Sequence, residues 1–206
     1  PPMEALTRVA PAEGGERCVK LAEAVKDVRR AVTCSEGIGV EHVLAALAML
    51  EVARHVGAVD ACEMALEEAP ELLRLLPSLV RLDLSRNAKL DYLVPLRACA
   101  HLQVVDLSGC PKLRDLRPLA TLPFLRVVDL SFCTEVEDVG QLLLNQPEVA
   151  EDAWTSRKGE VPLGHPALQW LSLSGCRSMR QGVDKMRHCH KLAHVDLFDC
   201  LDVCPA

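Results

Sequence analysis

From Leu79 onwards the apolar and polar positions follow one phrase, repeated five times: an aliphatic residue at its first, fourth and sixth places, a polar residue at its fifth, and Asn or Cys at the ninth. The units start at Leu79, Leu102, Leu125, Leu168 and Leu192, and their ninth places are Asn87, Cys110, Cys133, Cys176 and Cys200. Alternation with a period of two predicts one short β-strand per unit with one face buried. The steps of 23, 23, 43 and 24 residues predict a stack of like units, the third enlarged by about 20 residues. After each phrase the apolar residues recur every third position, as in Leu90, Leu93, Leu96 and Cys99, then Leu113, Leu116, Leu119 and Leu122. That spacing suits a short helix or 3₁₀-like turns on an outer wall. Pro95 and Pro118 fall at the same place in successive units, where the first turn of a helix has no use for an N–H.

Upstream of Leu79 the pattern reads differently. Residues 1–15 carry Pro1, Pro2, Pro11, Gly14 and Gly15 and read as a mobile lead-in. Residues 16–78 read as a helical N-terminal cap. Its first helix has Cys18, Leu21, Ala22, Val25, Val28 and Val32 on one face, and Gly37 and Gly39 break it. A second helix turns Val40, Val43, Leu44, Leu47 and Leu50 inward and ends at Gly57, and a third runs from about Val59 to Glu68 before Pro70. Glu71 to Pro77 is expected as the transition into the repeats. Such a cap would shield the first strand from water, and it could also dock a partner helix.

The phrase L-x-x-L-x-L-x-x-N/C, present in all five units, resembles the leucine-rich repeat family, and the four cysteines at place nine are similar to its cysteine-containing type. The resemblance covers roughly residues 72–206 and implies an α/β solenoid, with a parallel β-sheet on the concave side. Residues 79–206 form this solenoid, with an insertion at about 148–167. The second, third and fifth places of each strand then face the open side. Place five reads Asp83, Asp106, Asp129, Ser172 and Asp196; place three reads Arg81, Val104, Val127, Trp170 and His194. With Arg126 at place two and Phe132 nearby, this face offers an acidic column beside an apolar stripe, suited to a partner carrying basic and apolar groups. Local bonds from the aspartates to adjacent Ser or backbone groups are the other use of that column. The insertion carries Trp154, Arg157 and Lys158 among Gly and Pro, and reads either as an excursion or as a loop that contacts a partner.

Composition narrows the function classes. The 206 residues carry a net charge of −6, and residues 1–78 hold 8 Lys and Arg against 13 Asp and Glu. An acidic chain with 3% aromatic residues and no basic stripe predicts no direct nucleic-acid binding. Of the ten cysteines, four share place nine, while Cys99 and Cys189 each lie three residues before a strand. They read as small buried hydrophobes rather than a disulfide framework, which predicts a reducing intracellular compartment. The longest apolar stretch, Val43 to Leu50, is too short to span a bilayer. Because the chain opens at Pro1, a removed presequence and a fragment of a longer chain both stay open.

The chemistry-bearing residues do not form a recognisable centre. His188, Cys189, His190, His194, Cys200 and Cys204 match no structural zinc spacing, and Gly37-Ile38-Gly39 lacks the strand and third glycine of a nucleotide loop. No catalytic residue, metal or cofactor is expected. The reading is a non-catalytic protein-interaction scaffold, a structural subunit of a larger intracellular assembly. The alternative is a substrate receptor of a ubiquitin ligase, because the resemblance extends to the repeats of F-box proteins, although residues 1–78 show no Leu-Pro-led F-box phrase. The last strand, Leu192 to Leu197, has nothing after it to cover its edge, so a partner or further chain is expected there.

Overall fold

The computed structural model describes residues 56–143 and 164–200, and the backbone of the strand at residues 17–20. Seven strands form one parallel sheet in sequence order: β1 (Arg17–Lys20), β2 (Val56–Asp60), β3 (Arg81–Asp83), β4 (Val104–Asp106), β5 (Val127–Asp129), β6 (Trp170–Ser172) and β7 (His194–Asp196). From β3 to β7 like places pair with like: Arg81 with Val104, Val104 with Val127, Val127 with Trp170, and Trp170 with His194. The recurrence of the phrase is therefore the register of the sheet. The ladder outlasts the strands, because each place-six N–H donates to the place-five carbonyl of the next unit, as Leu84 does to Asp106 and Leu130 to Ser172.

The inward places build a single aliphatic core. Leu84, Leu107, Leu130 and Leu173 are fully buried, and Leu197 packs against them at the end of the stack. Behind the sheet runs the outer wall expected from the every-third-residue spacing. It consists of 3₁₀ turns at Glu71–Leu75, Val94–Ala98 and Val183–His188, and of single helical turns α1 (Arg117–Ala120) and α2 (Gly140–Leu143). Pro95 and Pro118 sit in the first turn of their segments and are buried.

Place nine shows why Asn and Cys alternate there. The buried Asn87 amide donates to the carbonyls of Ala61, Leu84 and Ser85, and accepts from the Leu66 N–H. In the later units a thiol takes over: Cys110 donates to Leu84, Cys133 to Leu107, Cys176 to Leu130 and Cys200 to Leu173, at 3.0–3.3 Å. Each adds a donor to a place-six carbonyl of the unit before it, and those of Leu84, Leu130 and Leu173 also accept from the Asn87 amide and from the Cys133 and Cys176 N–H groups. Burial pushes the Cys110 thiol up to about 11 and Cys176 to about 12, so these sulfurs are protonated donors and poor nucleophiles.

The helical reading of residues 16–78 needs correction where the structure describes them. The expected helix from Val59 to Glu68 is instead β2 followed by turns, and Gly57, expected to end a helix, lies inside the strand, where its carbonyl accepts the Val80 N–H. Cys18, placed on a helix face, belongs to β1. The physical reason lies in the register: Val56, Val59, Ala61 and Met64 occupy places one, four, six and nine of a unit starting 23 residues before Leu79. Val56, Val59 and Ala61 are buried, and a β-branched residue at two of the three inward places favours the strand. Glu71 to Leu75, expected as a transition, is the outer wall of this same unit. So β2 covers the edge of β3 that a helical cap was expected to cover. The other helix positions of the cap, the lead-in, and insertion residues Trp154, Arg157 and Lys158 lie outside the described residues.

The enlarged unit rejoins the stack at Gly164 and His165. His165 stands three residues before Leu168, the place that Leu76, Cys99, Leu122 and Cys189 fill in other units, and it is buried with them. Its Nδ1 accepts the Ala167 N–H at 3.4 Å, while its buried Nε2 has no hydrogen-bond partner among the described residues. Burial holds this imidazole down to about 4. Gly164 has φ +102, and a Cβ there would lie 2.0 Å from the His188 carbonyl oxygen. A side chain at this corner would push the last unit away.

Candidate protein interface

Place five turns each strand into its loop. Asp60, Asp83, Asp106, Asp129 and Asp196 each accept the backbone N–H two residues on, at 2.8–3.1 Å, and Asp83 also accepts the Ser85 hydroxyl at 2.6 Å. This is the local use of the column: an Asx turn that ends each strand. It does not exhaust the carboxylates, because the register stacks Asp60, Asp83, Asp106 and Asp129 on adjacent strands. Burial raises the Asp83 and Asp106 carboxyls above the ordinary range, hydrogen bonds from Ser85 and Ser108 pull the other way, and the neighbouring acids add to the rise. A cation delivered to this column would relieve that repulsion.

At β6 the column breaks. Ser172 replaces the acid, is buried, and shares a 2.7 Å hydrogen bond between its Oγ and that of Ser131. Beside it the structure corrects the expectation for Trp170, which is only 5% exposed, as is Val127. An indole on an inner strand has the side chains of both neighbouring strands about 4.8 Å away, here Val127 and His194. Trp170 and Val127 thus belong to a buried middle of the sheet rather than to its wet surface. Arg81, Val104, Asp83, Asp106 and Asp129 are half-buried and Arg126 is exposed, while His194 and Asp196 are exposed in β7, as is the inward Val195.

Two aromatic residues stand out at the rim where the strands turn. Phe132, at place eight, is 61% exposed, and Phe198, at place seven where the other leucine-initiated units have Ser, is 77% exposed. The sequence reading passed over Phe198; its signal was the replacement of a repeated serine by the largest side chain at that place.

Among the described residues no group of three or more His, Cys, Asp or Glu is placed to hold a metal ion, and no helix is long and apolar enough to cross a membrane. Seven cysteines there are free thiols.

A parallel sheet stacked in steps of one leucine-spaced phrase, with a short outer wall and an Asn or Cys ladder, defines a leucine-rich repeat protein. No family model and no curated protein matches the chain. Among solved structures it is similar to internalin C2 from Listeria monocytogenes, at 17% identity and a TM-score of 0.35 over 68% of this chain and 61% of that one. It is also similar to an internalin (inlF) of the same organism, at 14% identity and a TM-score of 0.30 over 85% of this chain and 74% of that one. The chain thus spans less than two thirds of the first structure's length.

Proposed function

We propose that this chain is a non-catalytic protein-interaction scaffold that binds a partner on the open face of its sheet, as a subunit of a larger intracellular assembly. The observation that carries the reading is the in-register stacking of the strands, which sets the acidic run of Asp60, Asp83, Asp106 and Asp129 beside Arg81, Val104 and Arg126 on one face. Repeated columns of this kind recognise extended surfaces of other macromolecules. The carboxylates are engaged as turn acceptors, and the thiols are protonated donors inside the core. Neither set is arranged as an acid, base or nucleophile beside a substrate-sized site. The free thiols of the core also support a reducing compartment.

The test is affinity capture with two versions of the chain. Arg126→Glu combined with Asp196→Lys alters two exposed side chains of the open face, while Lys112→Glu alters an exposed residue in the turn after Cys110. Proteins retained by the parent chain and by Lys112→Glu but lost from the double variant would support the reading. Identical retention by all three would overturn it. A cullin adaptor among the retained proteins would instead favour the ubiquitin-ligase receptor.

A further inference from the structure

We propose that Phe132 and Phe198, with the bare backbone of Gly175 between them, form a docking site for an extended segment of a partner protein that presents an apolar side chain next to Lys or Arg. The inference rests on the reading of the open face as a protein-binding surface and assigns it a chemistry. Place eight is left-handed in every described unit, with φ between 55° and 74° at Glu63, Arg86, Gly109, Phe132, Gly175 and Asp199. Glycine fits such a backbone and polar residues tolerate it, but a bulky aromatic there is an outlier. Outliers of this kind persist where the surroundings hold them, and cluster at binding sites. Burial does not compensate Phe132, because most of its ring is in water.

The ring rests on Gly175: a Cβ added there would lie 2.7 Å from Phe132 Cδ1. On the other side of Gly175, its N–H donates to the Phe198 carbonyl at 2.7 Å, and the Phe132 N–H donates to Ser174 at 2.7 Å. The backbones of the two aromatic residues therefore stand two strands apart, roughly 10 Å, and the Phe132 ring lies over the strand between them where Gly175 has no side chain. An apolar side chain of an incoming segment would pack on the exposed surfaces of these two rings.

The charge of the adjoining face selects the rest of the ligand. Asp129 lies three residues before Phe132, and Asp196, which is exposed, lies two before Phe198. Arg177 is already bonded to Asp199 at 2.7 Å. A second copy of this chain docked through the same face would set one aspartate column against another, which disfavours self-association there. A basic and apolar segment meets both features at once.

The test is selection from a library of random displayed peptides on the parent chain, followed by fluorescence anisotropy with the labelled winner. The inference expects winners that carry an aromatic or branched aliphatic residue beside Lys or Arg, with affinity falling about tenfold or more in Phe132→Gly and in Phe198→Ser. Phe132→Gly keeps the fold by design, since glycine suits φ +61, and its unfolding midpoint should equal or exceed the parent's. Acidic winners, no enrichment at all, unchanged affinity in both variants, or a dimer of the parent that Phe132→Gly dissolves would each overturn it. Natural partners retained by Phe132→Gly and Phe198→Ser but lost on changing Arg126 and Asp196 would overturn this docking site while leaving the open-face reading intact.

Discussion

Cys133 donates a thiol hydrogen to the Leu107 carbonyl from a fully buried position, and its neighbours Cys110 and Cys176 do the same one unit away on either side. Cys133→Asp places an unpaired charge in that column and should cost about 3 kcal/mol or more by denaturant titration. Stability within experimental error of the parent would show that place nine is not buried. His165 gives the residue scale a pH dependence. Its folded value, about 4, lies below the ordinary 6.5, so the unfolded chain takes up a proton first. Stability should therefore fall as pH drops below 6.5, with the loss complete near 4 and amounting to about 3 kcal/mol. The raised Asp83 and Asp106 carboxyls act in the opposite direction, so the contribution of His165 is isolated by comparison with His165→Leu. That variant should lose less stability than the parent between neutral pH and pH 4. Parallel curves would show that the imidazole is not held neutral by burial.

A unit of this fold is legible when its inward places carry leucine, and β3 to β7 announced themselves that way. β2 did not, because Val56, Val59, Ala61 and Met64 keep the spacing without the leucines, and the same residues also fit a helical face. What decides between strand and helix is pairing with β3, a contact made with residues more than twenty positions away. Trp170 was misjudged for a related reason: the repeat says which way the side chain points but not how closely its neighbours stand. The Asx turns were legible, since Asp-Leu-Ser carries its own acceptor and donor. Asn87 ties the β2 unit to the next through bonds to Ala61 and Leu66. Asn87→Ala should destabilise the chain by about 2 kcal/mol, because it strips the Ala61 carbonyl and the Leu66 N–H of their partner. A change below a few tenths of a kcal/mol would mean that water or another group satisfies them.

As a whole molecule the described chain is a one-dimensional stack in which each unit shields the next, so cohesion passes from neighbour to neighbour. No strand follows β7 among the described residues, and Val195, at an inward place that is fully buried in the preceding unit, is 39% exposed there. Exposed ion pairs such as Arg86 with Glu63 and Lys89 with Glu67 link successive units but lie in water, so salt should barely change the stability of the stack. Binding at the acidic open face should instead weaken as salt rises.

The ladder itself is best tested by residue-resolved amide hydrogen exchange. The place-six amides of Ala61, Leu84, Leu107, Leu130 and Leu173 each donate to the next strand, and all five should exchange slowly. Fast exchange at Ala61, or protection from Val59 to Glu68 spaced as in a helix, would contradict a sheet that begins before Leu79.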